Sequence, residues 1–152
     1  IRFYLNMDSA GAKTNNRDVI VNEWPELEGV FRNWADEMVL DYEVAQSLSA
    51  HSDHFPFFME GVPTGGMQSA ERSMEGRGYG HTQYDTVDKV GLTGLREASA
   101  LAARLALRVA SADTWPVSRR DKQAVLDLLD SPDYQEEQAY RERLEAFLAE
   151  TE

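Results

Sequence analysis

Hydrophobic and polar positions alternate at the start of the chain and change their period several times along it. Ile1, Phe3, Leu5 and Met7 are apolar and their neighbours are polar or amphipathic, a period of two that predicts a strand. The short apolar run at residues 19–21 predicts a second strand, joined to the first by a turn-rich segment at residues 9–17.

Other stretches have helical spacing. Residues 26–41 predict a helix with Pro25 in its first turn, and residues 52–60 predict a short helix that ends at Gly61. Thr93 is expected to cap a long helix, and two further amphipathic helices are expected at residues 118–129 and 132–149. The apolar positions expected to face inward are Leu27, Val30, Phe31, Trp34 and Met38, then Leu95, Ala98, Leu101, Ala102, Leu105 and Val109, then Val125, Leu128 and Leu129, and finally Tyr140, Leu144, Phe147 and Leu148.

This mixture of periods predicts an α/β fold. Residues 61–80 are glycine-rich and irregular, which predicts a strand followed by a long loop, and residues 85–90 predict a short turn. The break at residues 113–117 divides the chain, so we expect one main unit over residues 1–112 and a helical extension over residues 113–152 packed on it.

Charge narrows the classes of partner. The 152 residues carry 27 acidic against 15 basic side chains and a net charge of −12, which argues against a nucleic-acid partner. Only three of the cations are lysines, and this acidic, arginine-rich balance is typical of proteins adapted to high salt, although an ordinary acidic protein has it too. No run is apolar enough to span a bilayer, and cellular location is not predicted.

Candidate chemistry follows the first strand and the long loop. Asp8 comes just after a predicted strand, where α/β sheets place ligand-binding groups, although an Asp there is often a turn former. His81 lies in a glycine-rich loop with Asp85 and Asp88 behind it, which suits a metal-binding imidazole or a plain surface histidine. The chain has no cysteine, so a metal would be held by His and carboxylates.

His51, Asp53 and His54 form a second cluster. They allow a self-contained metal site, but adjacent positions rarely converge on one ion without strain. The alternative is that Asp53 caps the helix that carries Phe55, Phe57 and Phe58 into the core.

The order of these pieces resembles a known family. Asn6-Met7-Asp8 after a strand, Ser52-Asp53-His54 running to Phe57 and Gly61-Val62-Pro63, and His81-Thr82 before a long Ala/Leu helix resemble the di-zinc exopeptidases, which include bacterial leucyl aminopeptidases and glutamate carboxypeptidase. The resemblance covers residues 1–110 and implies part of a three-layer α/β/α domain with a mixed sheet, namely the C-terminal part of the catalytic domain.

The resemblance implies a pair of zinc ions, with Asp8 as the non-bridging carboxylate on one and His81 as the imidazole on the other. In family members the bridging Asp and the Glu-Glu pair with the general base precede this region, and no such pieces precede Asp8. Glu136 and Glu137 form the only Glu-Glu pair in the sequence, and they follow Asp8 in the chain where the family's pair precedes it. The chain by itself is therefore expected to be inactive.

Further roles are carried over by the same resemblance. The substrate-facing wall falls on Asp53, Thr64, Gly65 and Gly66. Many members have a Tyr just before the second zinc-binding His, where this chain has Gly80, so the adjacent Tyr79 is the candidate stabiliser of the tetrahedral intermediate.

A peptide substrate and aminopeptidase activity are the first expectation. Arg72 and Arg77 keep a glutamate carboxypeptidase-type hydrolase open. A non-catalytic binding domain and a glutaminyl-cyclase-like transferase on the same fold also stay open. Self-association through an exposed edge at the first strand or through the C-terminal helices is expected as well.

Overall fold

The fold is described from a computed structural model, which covers residues 1–8, 10–11, 17–69, 79 and 81–151. Most of the predicted turn-rich segment, the loop residues Arg72 and Arg77, and Gly80 lie outside the described residues.

A four-stranded mixed sheet forms the centre of the chain. Its strands are β1 (Tyr4–Asn6), β2 (Arg17–Val21), β3 (Val44–Gln46) and β4 (Thr64–Ser69), in the spatial order β1-β4-β2-β3. β1 runs parallel to β4 and β3 parallel to β2, whereas β2 and β4 are antiparallel. The α/β class with a mixed sheet is therefore confirmed, and β3 is a strand that the sequence pattern did not predict.

β1 separates two layers of side chains. Phe3, just before the strand, lies 5.4 Å from the Phe31 ring, and Leu5 packs against the same core. Tyr4 points the other way and stacks on Phe57 with ring centroids 4.1 Å apart. Because alternate side chains of a strand face opposite sides, residues 52–57 lie on the side of β1 away from Phe31.

The first core fills the space between the sheet and helices α1 (Glu26–Met38) and α3 (Leu92–Ser111). The predicted cap at Thr93 is wrong: α3 begins after Gly91 without a side-chain cap, and Thr93 lies inside the helix. The inward position predicted for Leu95 is also wrong, since Leu95 is 37% exposed and the neighbouring Gly94 is buried instead. The other predicted inward positions of α3 are buried, namely Ala98, Leu101, Ala102, Leu105 and Val109.

A second core joins the short helix α2 (Phe55–Met59) to α4 (Lys122–Leu129). Its buried members are Ala50, Phe55, Phe58, Val125 and Leu129. α4 starts later than predicted because Asp121 caps it, accepting a 2.8 Å hydrogen bond from the Ala124 backbone N–H.

The last helix, α5 (Gln135–Thr151), follows a short 3₁₀ turn at Pro132–Tyr134. The prediction that its apolar residues face inward is wrong for Phe147 and Leu148, which are 61% and 52% exposed. Tyr140 and Leu144 are each 37% exposed, and the Tyr140 ring contacts the buried Phe55 ring of the second core. Of the helices in the described ranges, none has the length and apolar character needed to cross a bilayer.

Candidate functional site

Asp8 follows the end of β1 and is bonded to a distant serine. The Ser52 hydroxyl donates to Asp8 Oδ2 at 3.0 Å, and Asn6 Nδ2 in turn donates to Ser52 Oγ at 2.7 Å. A continuous chain of hydrogen bonds therefore runs from the strand to the carboxylate through Ser52, which lies in residues 51–61, the stretch that contains α2 and is called the α2 segment.

This arrangement fixes the direction of an exposed carboxylate. Ser52 has one hydroxyl proton, and because its oxygen accepts from Asn6, that proton points at Asp8. Hydrogen bonds of this type orient metal-binding carboxylates in proteins. Asn6 and Ser52 carry the resemblance, yet no pattern in the sequence indicated a role for either. Their bonds depend on how Ser52 folds against Asp8 and Asn6, which lie 44 and 46 positions away from it in the sequence.

The cluster at residues 51–54 diverges. His51 reaches Glu136 of α5 with Nε2 2.7 Å from Oε1, Asp53 is exposed, and His54 is buried. Among the described residues no three His, Asp or Glu side chains come together as a metal site, so this cluster does not form one. Asp53 does not cap α2 either, since the residue before the helix is His54 and no side chain caps it.

His54 is enclosed beside the site. Its Nε2 is buried and has no hydrogen-bond partner within the described part of the chain. Burial lowers the pKa of His54, against the opposing effects of a backbone hydrogen bond at Ser49 and the charges of Asp53 and Asp8. The imidazole is therefore neutral at pH 7.

His81 is exposed and has a φ of 63°, a left-handed conformation that is uncommon for a residue other than glycine. It sits in a turn closed by Thr82, whose backbone N–H donates to the Tyr79 carbonyl at 3.1 Å. Further along, the Gly91 N–H donates to the Gly11 carbonyl at 3.1 Å. This bond ties the turn after Asp8 to the segment that follows His81.

Tyr79 is 42% exposed, and the ammonium group of Lys89 lies 5.3 Å from the centre of its ring. Its side chain is therefore accessible at the same turn as His81. The role of Tyr79 as a stabiliser stays a prediction.

The predicted substrate wall in β4 is mostly interior. Thr64 is fully buried, and a methyl group on Gly65 would overlap the Ile20 carbonyl and the Phe3 ring. Glycine at 65 is thus explained by strand packing. Gly66 pairs with Asn6, and a Cβ there would lie 3.2 Å from the Asn6 carbonyl oxygen, so it borders the hydrogen-bond chain to Asp8. Substrate binding by these residues and by Asp53 stays a prediction.

Comparison with known proteins decides the family. The sequence profile of peptidase family M28 matches residues 1–106. The chain belongs to peptidase family M28. M28 is a family of zinc peptidases with aminopeptidase-like and carboxypeptidase-like members, so the resemblance drawn from the sequence is confirmed. A search of curated proteins finds no match.

The M28 match ends inside α3, so the last residues of α3 and all of α4 and α5 lie beyond it. Every residue considered above for the site, with the exception of Glu136 and Glu137, falls within the matched region.

Zinc fits the donor types of this M28 chain. A carboxylate oriented by Ser52 and an exposed imidazole at His81 are both common zinc donors. A catalytic zinc ion needs about three protein ligands, and the described residues bring no three candidate donors together. Asp8 and His81 therefore fit as part of a ligand set.

Proposed function

We propose that this M28 chain is part of a zinc-dependent exopeptidase that acts as an aminopeptidase. The observation that carries the proposal is the hydrogen-bond chain from Asn6 through Ser52 to Asp8, which orients a carboxylate at the end of a sheet strand. A carboxylate that only formed a turn would have no need of a hydrogen bond from Ser52, a residue of a distant segment that is itself held by Asn6.

In this proposal Asp8 binds one zinc ion and His81 binds the second. The other ligands and the general-base glutamate come from outside the described residues, so these residues by themselves are inactive. Zinc, when bound, supplies a Lewis acid for the scissile carbonyl and a water nucleophile of lowered pKa. Ser52 keeps the Asp8 carboxylate in position, and the Tyr79 hydroxyl donates a hydrogen bond to the oxygen on which charge develops.

The charges at this site suit the amino-terminal end of a peptide substrate better than its carboxyl-terminal end. Asp53 is exposed, next to the serine that bonds Asp8, and the charges of both aspartates act on His54. Once Asp8 binds zinc, Asp53 remains as the carboxylate available to attract the ammonium group of a peptide. Asp53 is therefore the candidate for the substrate's α-amino group, and Gly66, which borders the hydrogen-bond chain to Asp8, is the member of the predicted β4 wall best placed beside it.

The first test is hydrolysis of aminoacyl p-nitroanilides by the complete gene product, with and without a chelator. The assay uses high salt because salt screens the self-repulsion that a net charge of −12 causes in the compact state. Asp8→Ala and His81→Ala are compared with Asp113→Ala, which removes an exposed carboxylate between α3 and α4. We expect chelator-sensitive activity that is lost in the first two variants and kept in the third.

Two other results would replace the proposal. Hydrolysis of acyl-glutamate substrates in place of the anilides would identify a carboxypeptidase-type enzyme. A folded, zinc-loaded protein without activity on either substrate class would identify a binding domain built on the peptidase fold.

Self-association is a further part of the proposal. β1 is at one end of the strand order and pairs only with β4 among the strands that the structure describes. An edge strand offers backbone groups to a second chain, so we expect concentration-dependent association in sedimentation experiments.

A further inference from the structure

The segment that carries Ser52 packs against helices that lie beyond the M28 match. Phe55 and Phe58 of α2 are 1% exposed, and they share the second core with Val125 and Leu129 of α4, which are fully buried. The α2 segment thus owes much of its burial to residues outside the family region.

Polar contacts follow the same path. The Arg120 backbone N–H donates to the Gly61 carbonyl at 2.9 Å, and Arg119 Nη2 donates to Glu60 Oε2 at the same distance. These bonds fix the chain just after α2. At the start of the segment, His51 bonds Glu136 of α5.

An aromatic contact lies between these two attachments. The Tyr140 ring of α5 meets the Phe55 ring edge-on, with centroids 5.7 Å apart. Residues 51–61 are therefore held at both ends and in the middle by residues 119–140.

Ser52 is part of that held segment. Its carbonyl accepts a 3.1 Å hydrogen bond from the Phe55 backbone N–H, while its hydroxyl bonds Asp8. Movement of the α2 segment away from α4 would consequently draw the serine away from the carboxylate.

We propose that residues 119–140 act as an intramolecular clamp, in which Leu129 and Glu136 are positioning residues that keep Ser52 hydrogen-bonded to Asp8. This inference rests on the proposed zinc function of Asp8. It assigns to the C-terminal helices a direct part in the geometry of the metal site.

The two positioning residues contribute unequally. The His51 and Glu136 side chains are 64% and 68% exposed, so their pair is weak. Leu129 is fully buried in the second core, so truncating it removes packing from the surface that holds α2. Leu129→Ala is expected to have the larger effect on the clamp, and Glu136→Ala the smaller.

The experiment measures zinc affinity of the complete gene product by competition with a chelator, together with amide hydrogen exchange at Phe55. Leu129→Ala should weaken zinc binding about tenfold, as loss of a ligand-orienting contact does. Glu136→Ala should weaken it less, and Glu136→Gln should restore it because the amide oxygen still accepts from His51. Glu142→Ala, on the exposed surface of α5, is the matched control.

A second step tests whether the effect passes through Ser52. In a Ser52→Ala background, Leu129→Ala should cause no further loss of zinc affinity. A full additional loss there, or faster exchange at Phe55 with unchanged zinc affinity, would overturn the clamp. Amide hydrogen exchange at Leu105, in the first core, checks that the Leu129→Ala variant remains folded. If that variant does not fold, Glu136→Ala tests the clamp in its place. Absence of zinc binding in the unaltered protein would instead overturn the proposed function. Amide hydrogen exchange at Phe55 would then decide by itself whether the C-terminal helices hold residues 51–61 in place.

Discussion

The Gly61 carbonyl accepts the backbone N–H of Arg120 at 2.9 Å, and this bond joins the end of α2 to the start of the C-terminal helices. Gly61 has a φ of 71°, and a methyl group there would overlap the Arg120 carbonyl. The contact between the end of α2 and the start of the C-terminal helices therefore requires glycine at position 61, both for its backbone conformation and for its lack of a side chain.

Gly61→Ala should lower the free energy of unfolding by about 2 to 3 kcal/mol, since it combines left-handed strain with a backbone overlap. Gly29→Ala in α1 is the control, because nothing lies within 4 Å of its added methyl. That control should gain about 0.5 to 1 kcal/mol from the helix preference of alanine. Urea unfolding of both variants measures the difference, and equal stabilities would contradict it.

Ser52→Ala tests the hydrogen-bond chain from Asn6 through Ser52 to Asp8 directly, independently of the clamp. Removing the hydroxyl leaves Asp8 unoriented, so zinc affinity and kcat/KM should each fall about 10- to 100-fold. Ser99→Ala is the matched control, since the Ser99 hydroxyl bonds only the Leu95 carbonyl of its own helix among the contacts described. Chelator competition and initial rates give the two values, and an unchanged zinc affinity would show that Ser52 does not position a ligand.

His54 should make the protein acid-sensitive. Burial lowers its pKa in the folded state below the value of about 6.5 expected in the unfolded chain. As pH falls through 6.5 the unfolded chain binds a proton that the folded chain does not, so stability is lost toward acid pH. His54→Gln should flatten the pH dependence of stability between pH 7 and 5. Unfolding midpoints across that range decide the matter, and parallel curves would contradict the prediction.

Tyr42 should make the stability of the protein depend on pH in the alkaline range. Burial raises its pKa to about 12, and its hydroxyl donates to the Phe31 carbonyl at 2.7 Å. Above pH 10 the unfolded phenol loses its proton first, so the stability that the neutral phenol provides is lost between pH 10 and 12.

Tyr42→Phe should cost about 1 kcal/mol at neutral pH, the worth of the lost hydrogen bond. The deficit should shrink as pH rises above 10, because phenylalanine does not titrate. Denaturant unfolding at pH 7 and pH 11 measures both values. A deficit that is the same at the two pH values would refute this account of Tyr42.

The short-range features of the fold were predictable. The core helix at residues 26–38 and the buried face of α3 follow from a period that any packed helix obeys. The capping of α3 was not predictable in this way, because Thr93 fits the cap pattern while the chain actually enters the helix directly after Gly91. β3 has only three residues and forms because β2 is beside it, so its own sequence carries little signal.

Patterns along the chain were enough to establish the α/β class, the position of Asp8 after a strand and the membership of M28, because these depend on local periodicity and on the order of short motifs. Only the tertiary structure decided three other features. These are the bond from Ser52 to Asp8, the different surroundings of His51 and His54, and the exposure of Phe147 on α5. Each of these depends on how residues distant in sequence are arranged around one another. No pattern within a single segment specifies which distant surface will cover it.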